Sequence, residues 1–333
     1  MRLPLTLAFI FAAGCSDYTV IVRDGGDVFY QDPSSEVDIL LVVDDSCSMG
    51  PYQSKLSTNF EEFISFFTDA NVDYHIGVIT TDVMAESAGN ILGDIITTET
   101  ENASDVFGEI VSVGTAGSGN EMGLHAAYLA LTEPRVSTTN AGFIRDSASL
   151  SVFFVSDEED ASPLPTADYV NQLRDIKDSR DRAVFNASAL VVTNVKECTS
   201  AAQAGSSRGD RYLDVAAQSS GVSGSICADS FSDIITELSL NASRLMDTFY
   251  LTDLPAPNSI EVSVNETALP CEDGAWTYTL VEQDDGTALP AVVFQRDQLP
   301  GPSSQIAIRY DFGDGDPEGF CAGSTTEDTG SAP

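Results

Sequence analysis

The sequence predicts an α/β domain, built on a mostly parallel sheet covered by helices on both faces, followed by a small all-β domain. Three observations carry this. Continuous apolar runs rich in β-branched residues, led by Ile39–Val43, have the length of strands buried on both faces. Segments with apolar residues at helical spacing separate these runs, which is the alternation of a parallel sheet. From Phe249 onward the pattern changes to short runs divided by Pro, Gly and Asp.

Taken in order, residues 1–14 hold Arg2 and the apolar stretch Leu3–Ala13, too short to span a bilayer, and read as an export leader. Residues 15–35 read as a tether, broken by Asp24-Gly25-Gly26-Asp27 and Asp32-Pro33-Ser34-Ser35. Within it, Val28-Phe29-Tyr30 is expected to pack against the domain that follows. That α/β domain is placed at residues 36–247. Its first strand is Val37–Val43. Leu56, Phe60, Phe63, Ile64 and Phe67 then mark one buried helix face. Tyr74–Thr80 is the next strand, ending at Thr81-Asp82, and Ile91–Ile96 is a short edge strand. Ala103–Val113 reads as a helix, Gly114–Gly123 as a glycine-rich loop, and Leu124–Leu131 as the helix it opens. Leu150–Val155 is a buried strand running into Ser156-Asp157-Glu158-Glu159-Asp160. Ala167–Asp178 reads as helix, Ala183–Thr193 as strand, Arg211–Gln218 as helix and Val222–Ile226 as a short strand. Phe231–Thr248 is a long amphipathic helix closing the domain. Ile260–Val264, Trp276–Val281, Ala291–Phe294 and Gln305–Tyr310 build the β domain, residues 249–312, and residues 313–333 form an acidic, mostly disordered tail.

Charge excludes one class of partner. With 15 basic and 52 acidic side chains, net −37, the chain lacks the clustered Lys and Arg that phosphate binding needs, so no nucleic-acid partner is expected. Ala12-Ala13-Gly14-Cys15 resembles a bacterial lipobox, with Ala12 where Leu is commonest. The resemblance implies cleavage before Cys15 and lipidation of Cys15, and Ser16 in place of Asp favours the outer membrane. The alternative is ordinary secretion with Cys15 structural. Beyond Cys15, five cysteines remain in what would be an oxidising space. Cys198 with Cys227 and Cys271 with Cys321 are the pairings that stay within one domain each, leaving Cys47 over.

Chemistry concentrates at the end of the first strand, in Asp44-Asp45-Ser46-Cys47-Ser48-Met49-Gly50. In an extended segment Asp44, Ser46 and Ser48 point the same way. Hard oxygen donors suit Mg²⁺, Mn²⁺ or Ca²⁺ rather than zinc. The bland alternative is a polar strand-to-helix turn with Ser48 as N-cap. Asp-x-Ser-x-Ser after a buried strand resembles the metal-ion-dependent adhesion site (MIDAS) of von Willebrand factor type A domains. The likeness is closest to their lipoprotein branch, through Val37–Met49, Gly77–Asp82 and Val155–Asp160. It implies a doubly wound, Rossmann-like sheet of order 3-2-1-4-5-6, with Asp44 and Asp157 meeting in the crevice between strands one and four.

By the same resemblance, Ser46 and Ser48 contact the metal directly, while Asp44 and Asp157 act mainly through water. The third loop normally supplies a Thr five residues before the glycine opening the next helix, which here is Ser118. Glu121 is an alternative ligand, its other reading being a carboxylate in the first turn of a helix. Neutral hydroxyl ligands leave charge on the metal, so a partner's carboxylate is the expected ligand. Glu158, Glu159 and Asp160 hold a second cation, tune the first, or form a solvated acidic rim, the rim being favoured. His75 and His125 lie inside a strand and a helix without a Gly-x-Ser-x-Gly elbow, which argues against a hydrolase. Arg208-Gly209-Asp210 reads as a chance match to an integrin-recognition tripeptide, and Trp276 with Tyr278 as β-domain core. The expectation is a non-enzymatic lipoprotein of a bacterial envelope, lipid-anchored at the outer membrane, that binds a protein or peptide through a divalent metal. The alternatives are a structural envelope protein with a vestigial metal site and, more weakly, a hydrolase.

Overall fold

The computed structural model describes residues 26–31, 36–177, 184–198, 206–283, 286–318 and 320–321. Cys15, the leader and most of the tether and tail lie outside the described residues. The central sheet has six strands: β2 (Glu36–Val43), β3 (Asp73–Thr80), β4 (Ile96–Thr97), β5 (Ser149–Ser156), β6 (Phe185–Val191) and β7 (Ser223–Ser225). Their order is β4-β3-β2-β5-β6-β7; β4 is antiparallel to β3 and the other pairings are parallel. Successive strand side chains point to opposite faces, so the continuous apolar run of β2 feeds two cores. Val37, Ile39, Leu41 and Val43 pack with residues of α1 (Gly50–Thr58), α2 (Phe60–Asp69), α3 (Ala103–Val111) and α7 (Ser232–Ser243). Leu40 and Val42 pack on the other side with α4 (Gly123–Ala130), α5 (Thr166–Asp175) and α6 (Asp210–Gln218). The chain leaves β2 for α1 on one face and leaves β5 for α5 on the other. Between these two neighbouring strands a crevice therefore opens at their carboxyl ends.

Several expected boundaries move. The single helix face from Leu56 to Phe67 is split at Asn59 into α1 and α2. Of the edge strand expected at Ile91–Ile96, only Ile96 is in a strand. The closing helix stops at Ser243, because Arg244 takes the left-handed conformation at φ 60°, and Thr248 already belongs to the next strand.

The larger correction concerns the tether. Residues 26–30 are a strand, β1 (Gly26–Tyr30), paired antiparallel with β13 (Gln305–Arg309). The β domain is thus built from both sides of the α/β domain. One sheet runs β1-β13-β9-β10, with β9 (Glu261–Val264) and β10 (Thr267–Leu269). The other runs β11-β12-β8, with β11 (Trp276–Glu282), β12 (Ala288–Phe294) and β8 (Thr248–Tyr250). Phe29 is fully buried in their shared core beside Phe249, Trp276, Phe294 and Ile308. Burying such a side chain stabilises the docked strand by about 1.5–3 kcal/mol. The tail also begins later than expected. Gly313 N and Gly315 N donate to Leu254 O and Pro255 O, and Phe320 packs on Trp276. Disulfides join Cys198 to Cys227 and Cys271 to Cys321, and Cys47 is free and exposed. No helix among the described residues is long and apolar enough to cross a membrane.

Candidate metal centre

Asp44 N donates to Val155 O at 2.9 Å, so the chain holds to β5 for one residue past the end of β2. The Asp44 carboxylate is fixed from both strands: Oδ1 accepts from Ser46 N at 2.7 Å, and Oδ2 accepts from Ser156 Oγ at 2.6 Å. The first bond is an Asx-type turn, which throws the Ser46 and Ser48 hydroxyls to one side. Their oxygens lie 3.3 Å apart, and Ser48 Oγ donates to Asp157 Oδ1 at 3.0 Å. Asp157 Oδ2 accepts from Ser206 Oγ at 2.9 Å. Asp44, Ser46, Ser48 and Asp157 thus form one connected group across the crevice. Ser48 does not cap α1; the N-cap position is Met49, with no side-chain cap bond.

The glycine-rich loop folds over this group. Gln53 Nε2, on α1, donates to both Asp44 O (3.0 Å) and Gly114 O (2.8 Å), tying the loop to the end of β2. Gly117 N donates to Asp45 O at 2.9 Å, and a Cβ at Gly117 would overlap the Asp45 carboxylate. Ser118 is not joined to the group. Its hydroxyl accepts from Asn120 N at 3.1 Å inside the loop. Glu121 is buried instead, and its Oε2 accepts from Thr81 Oγ1.

The acidic run after Asp157 is not a solvated rim throughout. Asp160 is buried and pairs with Arg211 Nε at 2.9 Å, while also accepting from Leu124 N and Ser162. Glu159 accepts from Asp210 N and Arg211 N, both at 3.0 Å, and so caps the start of α6. Neither carboxylate faces the Asp44 group with free oxygens. Glu158 is half-buried beside Asp44 and Asp157.

Electrostatics single out this end of the sheet. Burial pushes the Asp44 carboxyl above its ordinary range, against the lowering effect of its bonds to Ser156 and Ser46, and the Asp157 charge adds to the rise. Burial, then Asp82, raises Asp45 to about 6. Burial, then Asp44, raises Glu121 to about 8. Glu158 is raised by burial and then by Asp44 and Asp157. The ion pairs among the described residues involve none of Asp44, Asp45, Glu121 or Asp157. Asp45 Oδ1 and Glu121 Oε1 are buried without a hydrogen-bond partner. An all-oxygen group with surplus negative charge, orphaned acceptors and no ion-paired basic side chain among the described residues fits a hard divalent cation. Asp44, Ser46, Ser48 and Asp157 would hold it.

The remaining candidates are accounted for elsewhere. His75 Nδ1 lies 3.1 Å from Phe143 O, and His125 Nδ1 lies 3.3 Å from Tyr169 OH; no described hydrogen bond joins either ring to a serine. Arg208 and Asp210 pair with each other at the start of α6. Trp276 Nε1 donates to Leu269 O in the β core. The sequence reading missed Thr81, Ser156, Gln53 and Ser206. Thr81 and Ser156 sit inside the quoted Gly77–Asp82 and Val155–Asp160 motifs. Gln53 and Ser206 reach the site by packing and have no local signal.

No protein-family model matches the sequence, and no curated protein matches it. Similar solved structures include the pilus adhesin SpaC from Lactobacillus rhamnosus GG in its open conformation, at 14% identity and TM-score 0.44, over 88% of this chain and 42% of that one. Proximal thread matrix protein 1 from the mussel byssus gives 15% identity and TM-score 0.37, over 68% of this chain and 51% of that one. A form of that protein with a zinc occupied MIDAS motif gives 14% identity and TM-score 0.36 over the same shares. This chain spans about half or less of each. Likeness at this level decides neither family nor function.

Proposed function

We propose that the chain is a von Willebrand type A protein of the bacterial envelope, anchored through a lipid on Cys15. It captures a protein or peptide partner without chemistry, through a divalent cation, Mg²⁺, Mn²⁺ or Ca²⁺, held by Asp44, Ser46, Ser48 and Asp157. One observation carries the reading. The turn after β2 and the residue after β5 bring two buried carboxylates and two hydroxyls together at the sheet's crossover point, and among the described residues neither carboxylate has an ion-pair partner. When bound, the ion would supply an electrophilic position for a partner's carboxylate. The test is affinity capture from native envelope in Mg²⁺ against EDTA, with wild type and the Ser46→Ala, Ser48→Ala double variant. A partner retained by wild type in Mg²⁺ alone supports the reading.

A second reading has its own support. The outer face of the β1-β13-β9-β10 sheet is a groove of about 1640 Å³ with Tyr30, Phe312 and Arg309 along it. It favours a structural envelope protein whose β domain makes the contacts. Capture that is equal in Mg²⁺, in EDTA and with the double variant would select this reading.

A further inference from the structure

We infer that Glu121 is the ligand which the glycine-rich loop gives to the metal centre, a carboxylate in place of the expected hydroxyl, and that Thr81 positions it. The inference rests on the metal-centre reading above. Glu121 lies two residues before α4, and its backbone is held from two sides. Its carbonyl accepts from Ala161 N at 2.6 Å, beyond β5, and the next residue, Met122, donates its N–H to Thr81 O at 3.3 Å, beyond β3. The Glu121–Met122 peptide thus bridges the segments that follow β3 and β5, and in the sheet β2, which runs into Asp44, lies between those two strands.

The side chain is 1% exposed. Thr81 Oγ1 donates to Oε2, and Oε1 has no partner. Six buried side-chain polar atoms among the described residues lack partners, on Asp45, Glu121, Arg135, Gln172, Arg174 and Ser225. Only two of these are carboxylate oxygens, and both flank Asp44. The charged neighbours of Glu121 are Asp44, Asp45 and Glu158, all acidic. Nothing among the described residues satisfies Oε1, and the charges beside it are acidic. Ser118 offers no such signal, since its hydroxyl is bonded within its own loop.

The substitution changes the charge of the donor set. Asp44, Asp157 and Ser118 would balance one divalent ion, whereas Asp44, Asp157 and Glu121 overbalance it by one. Ligand charge count tunes affinity for hard cations, so the ion is held more tightly. The exposed position is correspondingly less attractive to a partner's carboxylate.

The experiment is calorimetric titration of the chain from Ser16 onward with Mg²⁺ and with Ca²⁺. Glu121→Gln, which keeps volume, is expected to weaken binding by about 10–100-fold, and Thr81→Val by about tenfold with rescue by Thr81→Ser. Ser118→Ala is expected to bind as wild type does. In EDTA, Glu121→Gln should melt no lower than wild type, which a purely structural role would not produce. If Glu121→Gln binds like wild type while Ser118→Ala loses affinity, the inference is overturned and the metal-centre reading stands. If folded wild type binds neither ion, the metal-centre reading itself fails and takes the inference with it.

Discussion

The two ends of β2 each bury an aspartate, and the chain treats them in opposite ways. Asp38, near the start of the strand, is fully buried and lies between two cations: Arg145 Nε at 2.8 Å from Oδ1 and Lys177 Nζ at 2.9 Å from Oδ2. Arg145 N donates to Oδ2 as well. Asp44, just past the strand, is equally buried, but among the described residues it meets Ser46 and Ser156 Oγ and no ion-pair partner, with Asp157 nearby to raise its energy further. The chain has 15 basic residues in all and commits two of them to Asp38. A buried charge is tolerable when it is paired. The unpaired end is therefore where a cation from outside has work to do, and the paired end measures what pairing is worth.

The contrast breaks most readily at Asp38. Asp38→Asn leaves the 3%-exposed Lys177 without a counter-charge and Arg145 with only the half-exposed Asp73, and unfolding in denaturant should show a loss of about 3–5 kcal/mol. Asp44→Asn in EDTA should leave stability unchanged or raise it, because it removes a buried charge that has hydrogen bonds but no counter-charge among the described residues. Equal losses at the two positions would show that the ends are not different in kind.

Metal sharpens the contrast from the other side. A cation that binds only the folded state stabilises by about 2.7 kcal/mol at a hundredfold excess over its dissociation constant. Mg²⁺, Mn²⁺ or Ca²⁺ should therefore raise the melting temperature of wild type. The same increment should survive in Asp38→Asn and mostly vanish in the Ser46→Ala, Ser48→Ala variant. The protein tested must include residues 26–30, since β1 completes the β domain. If wild type and the double serine variant respond alike, the cation acts elsewhere.

How much of this was legible in the sequence depends on how local each cause is. β2 and β5 could be read because burial on both faces writes an unbroken apolar run into the strand itself. Asp44, Ser46 and Ser48 could be read because their spacing is local, and Asp157 because a second motif sits at the end of another such run. β1 could not be read: its partner β13 lies some 280 residues away, and five residues flanked by glycine look like a linker. The third loop is hard to read for a related reason. Counting back from Gly123 leads to Ser118, but the path of a glycine-rich loop is set by the bonds it makes to Gln53, Asp45, Thr81 and Ala161. The run Glu158-Glu159-Asp160 resembled a uniform acidic rim. Arg211 and the start of α6, roughly 50 residues on, draw Glu159 and Asp160 away from it.

A smaller effect should appear in the pH dependence. Glu121 has an ordinary value of 4.5 and about 8 in the fold; Asp45 goes from 3.8 to about 6. Between those values the folded state holds protons that the unfolded state has released. Stability from these groups is therefore complete below about pH 4 and is lost as pH rises through about 6 and then about 8. In EDTA, wild type should lose stability relative to Glu121→Gln across that window. A metal that takes Glu121 as a ligand would displace its proton, so the metal-induced rise in melting temperature should be larger at pH 8 than at pH 5. A wild-type to Glu121→Gln difference that stays flat with pH would mean that Glu121 does not sit unpaired in the fold.

The smallest effect expected is at Arg208 and Asp210, and it calibrates the others. The pair has the chemistry of Arg145 and Asp38, but its side chains are 50% and 60% exposed. Solvent screening and side-chain entropy hold exposed pairs to about 0–1 kcal/mol. Asp210 also opens α6, where a carboxylate gains about 0.3–1 kcal/mol from the helix dipole, so a single substitution would mix two contributions. Arg208 Nε donates to Thr193 O at 2.8 Å, a bond that Arg208→Ala also removes. A double-mutant cycle over Arg208→Ala and Asp210→Ala cancels both and leaves the pair alone. A coupling below about 1 kcal/mol that shrinks with salt would show that burial, not pairing, makes Asp38 matter. A coupling of several kcal/mol would remove burial as the deciding variable, and the lack of an ion-paired basic side chain at Asp44 among the described residues would then lose its meaning.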